Sequence, residues 1–243
     1  MAHLQCMFYS KALEMDTCVH VILPNEGELS QTRVVYLLHG LSDNYSAWCR
    51  YTSVERYALA YNVAVIMPEV QRSFYCDTVS GMAYFRYISQ ELPQMCKHFF
   101  NLSTDPRLNY IMGLSMGGFG ALKCALNYPD RYAGCGSFSG ALRMDSELLR
   151  NVLKQEELEA LVGKTCQAGP VNDLISLASK AEKLPPVYLS CGEQDRLYPM
   201  TVEFAQHLES LGAEHRFDHR PGTHSWEFWD RSLQDCFAYL LKK

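Results

Sequence analysis

The sequence predicts an α/β fold, with one mostly parallel central sheet flanked by helices and a small helical insertion. Three observations lead there. Short, continuous apolar runs recur along the chain, as strands buried on both faces require. Helical periodicity separates most of the later runs, which is the alternation that builds parallel crossovers. One glycine-rich turn, Gly113-Leu114-Ser115-Met116-Gly117, joins a strand pattern directly to a helix pattern.

Taken in order, residues 6–10 and 18–23 read as an early pair that starts the sheet antiparallel. Further strand patterns follow at 33–38, 63–67, 110–114, 134–138, 187–191 and 215–220. Helix patterns occupy 82–99, 117–128 and 201–211, and 225–241 closes the chain. Pro93 lacks an N–H and interrupts the first of these, so that helix is expected to kink or restart. Residues 142–183 break the rhythm: they are rich in Glu, Lys, Leu and Ser and carry no strand pattern. This stretch reads as a small cap insertion over the site, within a single domain spanning 1–243.

Composition narrows the function classes. The 243 residues suffice for one domain with a sizeable core. The net charge is −5 and no run of Lys and Arg occurs, which excludes nucleic acid and anionic membrane surfaces as partners. No apolar run approaches the roughly 18 residues needed to span a bilayer. The first residues, Met1 to Phe8, have neither a basic start nor a long apolar core, so no secretory leader is expected. Ten cysteines without a C-x-x-C pair read as reduced thiols, which places the chain in the cytoplasm.

The five-residue turn has the G-x-S-x-G pattern. A sharp strand-to-helix turn crowds its own backbone, so glycines flank the serine, and the turn lifts the Ser115 hydroxyl above the sheet at a helix N-terminus. A serine nucleophile needs a base, and the base needs an orienting carboxylate. Asp195 follows the strand pattern ending at Cys191, and His224 follows the one ending at Arg220. The chain order Ser, Asp, His is that of the α/β-hydrolases. All three residues follow strand ends on one edge of the sheet, where open α/β sheets place their sites. Glu193 is the rival acid and His219 the rival base; Asp173 lies in a polar helical stretch and is read as solvated. His215 and His219 stand four apart, a metal-ligand spacing on a helix, but this segment reads as strand and the two as surface residues.

Acyl transfer develops negative charge on a carbonyl oxygen, which two backbone N–H groups receive. Met116, after the nucleophile, is one candidate oxyanion donor, and Leu41, in the His39-Gly40-Leu41 loop after the 33–38 strand, is the other. His39 is read as shaping that loop. Trp48, Tyr198 and Trp226 are candidate substrate-binding residues, with Trp229 a further aromatic suited to stacking on a phenolic acyl group. The chemistry needs no metal and no organic cofactor.

The chain resembles the putative-esterase family of α/β-hydrolases, which includes esterase D, tributyrin esterases and feruloyl esterases. The resemblance rests on Leu38 to Asn44 with Trp48, Gly113 to Ala121, Pro129 to Tyr132 leading to Ser139-Gly140, Cys191 to Tyr198, and Pro221 to Trp226. It implies a serine carboxylesterase of short acyl chains, closest to the tributyrin-esterase branch, acting on a small-molecule ester with Ser115, Asp195 and His224 as triad and Leu41 and Met116 as oxyanion donors. A feruloyl or cinnamoyl esterase and an S-formylglutathione thioesterase are alternatives on the same scaffold, and a non-enzymatic binding protein is disfavoured by the intact Ser, Asp and His set. Homo-oligomerisation stays open, because no surface stripe in the sequence identifies an interface. A histidine base predicts activity that falls on the acid side as the imidazole protonates.

Overall fold

The computed structural model describes residues 1–144, 146–164 and 169–241. Eight strands form one sheet: β1 (Ala2–Ser10), β2 (Met15–Leu23), β3 (Val34–Leu38), β4 (Ala64–Pro68), β5 (Asn109–Leu114), β6 (Gly134–Phe138), β7 (Val187–Gly192) and β8 (His215–Arg220). Their spatial order is β1-β2-β4-β3-β5-β6-β7-β8. β1 pairs antiparallel with β2, and β2 antiparallel with β4; every later pairing is parallel. The early antiparallel pair and the parallel remainder are therefore as expected from the sequence.

Strands β3 to β7 are fully buried, which is why they read as unbroken apolar runs. Their side chains still alternate between two cores. Val34, Tyr36 and Leu38 of β3 enter one, and Val35 and Leu37 enter the other. Each fully buried aliphatic side chain contributes about 1.5–3 kcal/mol relative to exposure. The second core is closed by α1 (Ala47–Tyr51), α2 (Val54–Tyr61) and α10 (Trp226–Leu240). The first is closed by α3 (Tyr84–Arg86), α4 (Leu92–Phe100), α5 (Met116–Asn127) and α9 (Tyr198–Ser210), with α6 (Glu147–Val152), α7 (Gln155–Val162) and α8 (Leu174–Lys180) packed beyond. The last three helices lie in 142–183, which contains no strand among the described residues. Asp173 caps α8 by accepting from the N–H of Ser176 at 3.1 Å, a more specific role than the solvated one read for it.

The 82–99 pattern divides into two helices, and Pro93 explains the break. A π turn at Tyr87–Glu91 separates α3 from α4, and the N–H of Leu92 bonds to the carbonyl of Tyr87. Pro93 has no N–H to give to Ser89 four residues back, and the Arg131 guanidinium donates to that carbonyl instead, at 2.7 Å. The same turn aims Glu91 at the bend between β1 and β2. Its carboxylate accepts from the Ser10 hydroxyl at 2.6 Å and from the N–H groups of Lys11 and Ala12 at 2.7 and 3.0 Å. The irregular helix therefore clasps the antiparallel hairpin to the core.

Removing that clasp leaves two backbone donors without their ionised acceptor. Glu91→Ala is expected to lower the unfolding free energy by about 1.5–3 kcal/mol. Urea denaturation measures it, and an unchanged midpoint would mean that the bend holds without the carboxylate.

Candidate active site

The parallel register brings the functional loops to one edge. Leu38 pairs with Gly113, Leu114 with Phe138, and Phe138 with Ser190. The residues just beyond these strand ends, Gly40, Ser115 and Ser139, therefore emerge side by side. β7 ends three residues before Asp195 and β8 four before His224.

Ser115 has φ +52° and ψ −116°, a conformation that L-residues rarely adopt. The crowding around it dictates the glycines. A Cβ on Gly113 would run into the Gly117 carbonyl, and a Cβ on Gly117 into the carbonyls of Leu38 and His39. Only bare backbone lets α5 start this close to β3 and β5.

The His224 imidazole lies between the other two groups. Its Nδ1 is 2.7 Å from Asp195 Oδ2 and its Nε2 is 3.1 Å from Ser115 Oγ. The ionised carboxylate only accepts, so Nδ1 carries the proton and the Nε2 lone pair faces the serine hydroxyl. The Asp195 side chain is wholly buried, whereas that of His224 is one-quarter exposed. Burial alone would push the Asp195 carboxyl up. Hydrogen bonds from His224, from the Leu197 N–H at 2.9 Å and from the Ser139 hydroxyl outweigh it and hold the group below its ordinary value.

The rivals of this set sit elsewhere and pair with each other. Glu193 Oε1 lies 3.1 Å from His219 Nδ1, in an exposed hydrogen-bonded pair. His39 is a loop-shaping residue, as read from the sequence. The Val70 N–H donates to its Nε2 at 3.2 Å, so its Nδ1–H donates to the Gly40 carbonyl at 2.8 Å. Both ring nitrogens are thereby occupied. Tyr75 donates its hydroxyl to the His39 carbonyl at 2.9 Å, and the Gly40 N–H donates to Asp43 Oδ2 at 3.2 Å. Those bonds fix the loop that presents Leu41. Among the described residues, the Leu41 N–H meets no protein acceptor, and Met116 opens α5, where the first N–H groups have no intrahelical partner.

A cavity of about 320 Å³ opens over Ser115, with Gly40, Leu41 and His224 in its wall. Helix α6 supplies Leu148, Leu149 and Val152 to the same wall. Of the candidate substrate-binding aromatics, Trp226 lines this cavity together with Trp229. Trp48 and Tyr198 do not, which corrects that expectation. Trp48 is completely buried; its indole N–H donates to the Leu38 carbonyl at 3.1 Å, and its ring backs Trp226 edge-on at 5.2 Å. Tyr198 opens α9, because Pro199 starts that helix earlier than the 201–211 pattern indicates, and its ring faces Phe217 and His219.

Sequence reasoning gave no role to Ser139. Its φ is +47°, and its hydroxyl accepts the Trp229 indole N–H at 3.1 Å. Trp229 in turn meets the His224 ring edge-on at 4.8 Å. Ser139 therefore serves both the acid and the aromatic wall behind the base. Its signals in the sequence are its position directly after a strand pattern on the functional edge and its place in the Ser139-Gly140 pair of the family resemblance.

A family model described as "Putative esterase" matches residues 10–240. An acetyl esterase of Caldicellulosiruptor saccharolyticus is 27% identical over 266 residues, covering 100% of this chain and 99% of the relative. The fold matches FphF, a fluorophosphonate-binding serine hydrolase of Staphylococcus aureus, with a TM-score of 0.92 at 30% identity, covering 100% of this chain and 99% of that one. An S-formylglutathione hydrolase (FrmB) of Staphylococcus aureus matches with a TM-score of 0.88 at 30% identity, covering 99% of each chain.

Ser139→Ala strips the buried Trp229 N–H of its acceptor and Asp195 of a donor. A loss of about 1–3 kcal/mol in unfolding free energy is expected, and an unaltered chemical denaturation curve would contradict it. The depressed Asp195 carboxyl also sets a pH dependence. A group lowered in the fold contributes stability above its unfolded pKa, about 3.9 for Asp, and loses it as the pH falls through the folded value. The gap in melting temperature between the parent and Asp195→Asn should therefore narrow below about pH 4. A gap independent of pH would contradict this assignment.

Proposed function

The chain belongs to the putative esterase family, and on that premise we propose that it is a serine carboxylesterase of short-acyl esters, working through an acyl-serine intermediate. The observation that carries the proposal is the continuous hydrogen-bonded line from Asp195 through His224 to Ser115.

In this reading His224 Nε2 takes the Ser115 proton as Oγ attacks the ester carbonyl carbon. Asp195 stabilises the imidazolium that forms. The carbonyl oxygen, now negative, accepts from the N–H groups of Leu41 and Met116. The C–O bond to the alcohol breaks, and the alcohol leaves with the proton held on His224. Water then gives a proton to His224 and attacks the acyl carbon, releasing the acid and restoring the Ser115 hydroxyl.

The short-acyl preference rests on the cavity, which lies at the small end of the range for ligand sites. Residues 142–183 act as a cap in this reading, since α6 contributes three apolar side chains to the wall. The substrate is a small ester met in the cytoplasm in this reading, in keeping with ten cysteines that form no C-x-x-C pair. Among the described residues, no helix is long and apolar enough to cross a membrane. Trp226 and Trp229 in the wall favour a feruloyl ester as the second reading, because aromatic wall residues suit a phenolic acyl group.

Steady-state hydrolysis of acetyl, butyryl, octanoyl and feruloyl esters and of S-formylglutathione, with Ser115→Ala alongside, tests this. The expected outcome is the highest kcat/KM for acetyl or butyryl esters and a loss of about 10⁴-fold or more in the variant. A feruloyl or thioester optimum would overturn the substrate class. A variant as active as the parent would overturn the catalytic assignment.

A further inference from the structure

Around Cys49 of α1, three metal-ligating side chains converge. His3 Nε2 lies 3.2 Å from His20 Nδ1 and 3.7 Å from Cys49 Sγ, and all three ligand atoms fall within 4.8 Å of one another. They come from three elements: β1, β2 and α1. The sheet register accounts for the meeting. Gln5 pairs with His20 and His3 with Ile22, so His3 and His20 are diagonal neighbours on one face. The next strand places Met67 directly opposite His20, and α1 lays Cys49 over that row with its Sγ 3.7 Å from Met67 Sδ.

From this geometry we propose that His3, His20 and Cys49 form a binding site for a thiophilic divalent cation of the zinc class. Two imidazole nitrogens on a tetrahedral zinc lie about 3.3 Å apart, and a nitrogen and a thiolate sulfur about 3.6 Å apart. The two observed separations, 3.2 and 3.7 Å, are edges of that tetrahedron. A water takes the fourth corner.

The surroundings fit. Glu55 Oε1 accepts from His3 Nδ1 at 2.7 Å. That bond places the proton on Nδ1 and turns the Nε2 lone pair towards the other two ligands, as the carboxylate partner of a zinc-bound histidine does. The chemistry balances in charge and protons. On binding, Cys49 releases its thiol proton to solvent and the His20 proton moves from Nδ1 to Nε2 by exchange with solvent, and the thiolate with the Glu55 carboxylate offsets the two positive charges of the ion. The ion would tie the β1–β2 hairpin to the helix that carries Trp48, the residue behind the cavity wall.

The test is a titration of the chelator-treated full chain with Co²⁺, followed by displacement with Zn²⁺. One equivalent should give a sulfur-to-cobalt charge-transfer band that Zn²⁺ abolishes, and Zn²⁺ should raise the melting temperature. Cys49→Ser should lose the band while keeping the parental far-UV circular dichroism and a cooperative thermal unfolding transition, which show that it is folded. His20→Ala should weaken Co²⁺ binding by at least tenfold. Glu55→Gln, a change at a positioning residue, should keep the band at saturating cobalt but cost about 10–100-fold in affinity. Binding without one-to-one stoichiometry, or a band that persists in both Cys49→Ser and His20→Ala, would overturn the proposal.

Discussion

The approach of α5 to the ends of β3 and β5 is the constraint on which the rest of this edge depends. A strand that reaches the sheet surface and turns at once into a buried helix leaves no room for side chains at Gly113 and Gly117. Their neighbour Ser115 must then take a positive φ. An unfavourable backbone conformation persists only when its surroundings over-determine it. Here the Ser115 N–H donates to the Phe138 carbonyl at 2.8 Å, and the Ser115 carbonyl accepts from the N–H groups of Phe119 and Ala141, both at 3.2 Å. The hydroxyl is thus aimed by main chain from the adjoining strand end, its own helix and the loop beyond β6.

The same economy governs the polar groups around it. A buried carboxylate is costly unless its hydrogen bonds are made. Asp195 has a backbone donor, an imidazole donor and a hydroxyl donor, so it stays ionised within the core. Ser139 meets Asp195 and Trp229 with one hydroxyl that donates to the first and accepts from the second. His39 is likewise satisfied on both ring nitrogens, which disqualifies it as a second base and makes it a strut for the loop bearing Leu41. Preorganisation of this kind leaves little to rearrange when charge develops on a bound carbonyl.

What the sequence reveals and what it hides follow the same physics. Buried parallel strands must be apolar throughout and must be separated by helices, so the strand list, the antiparallel start and the positions of Ser115, Asp195 and His224 at strand ends were all legible. Side-chain direction was not. Trp48 and Trp226 are both aromatic and both near the edge, yet only packing decides that one props the other instead of facing the cavity. Tyr198 escaped for a local reason, since Pro199 begins a helix where the pattern reads as loop. Glu193 and His219 were credible rivals in one dimension and are partners in three. The His3, His20 and Cys49 cluster carried no spacing signal, because strand pairing and a helix from beyond β3 assemble it.

Helix α1 joins these two parts of the molecule. It is only five residues long, and an isolated helix of that length has no stability of its own. Its order must come from what it touches. On one side Trp48 inserts between Phe138 and Trp226 and bonds the end of β3, so α1 braces the strand that leads into the His39-Gly40-Leu41 loop. On the other, Cys49 rests on Met67 and the two histidines of the hairpin. Adjacent residues on one short helix therefore face the cavity wall and the sheet's antiparallel margin. An interaction that holds Cys49 limits the freedom of Trp48, and through it the placement of Trp226. The antiparallel margin is in this way more than an edge cover for the parallel sheet: it supplies one of the two surfaces between which the support of the cavity wall is held.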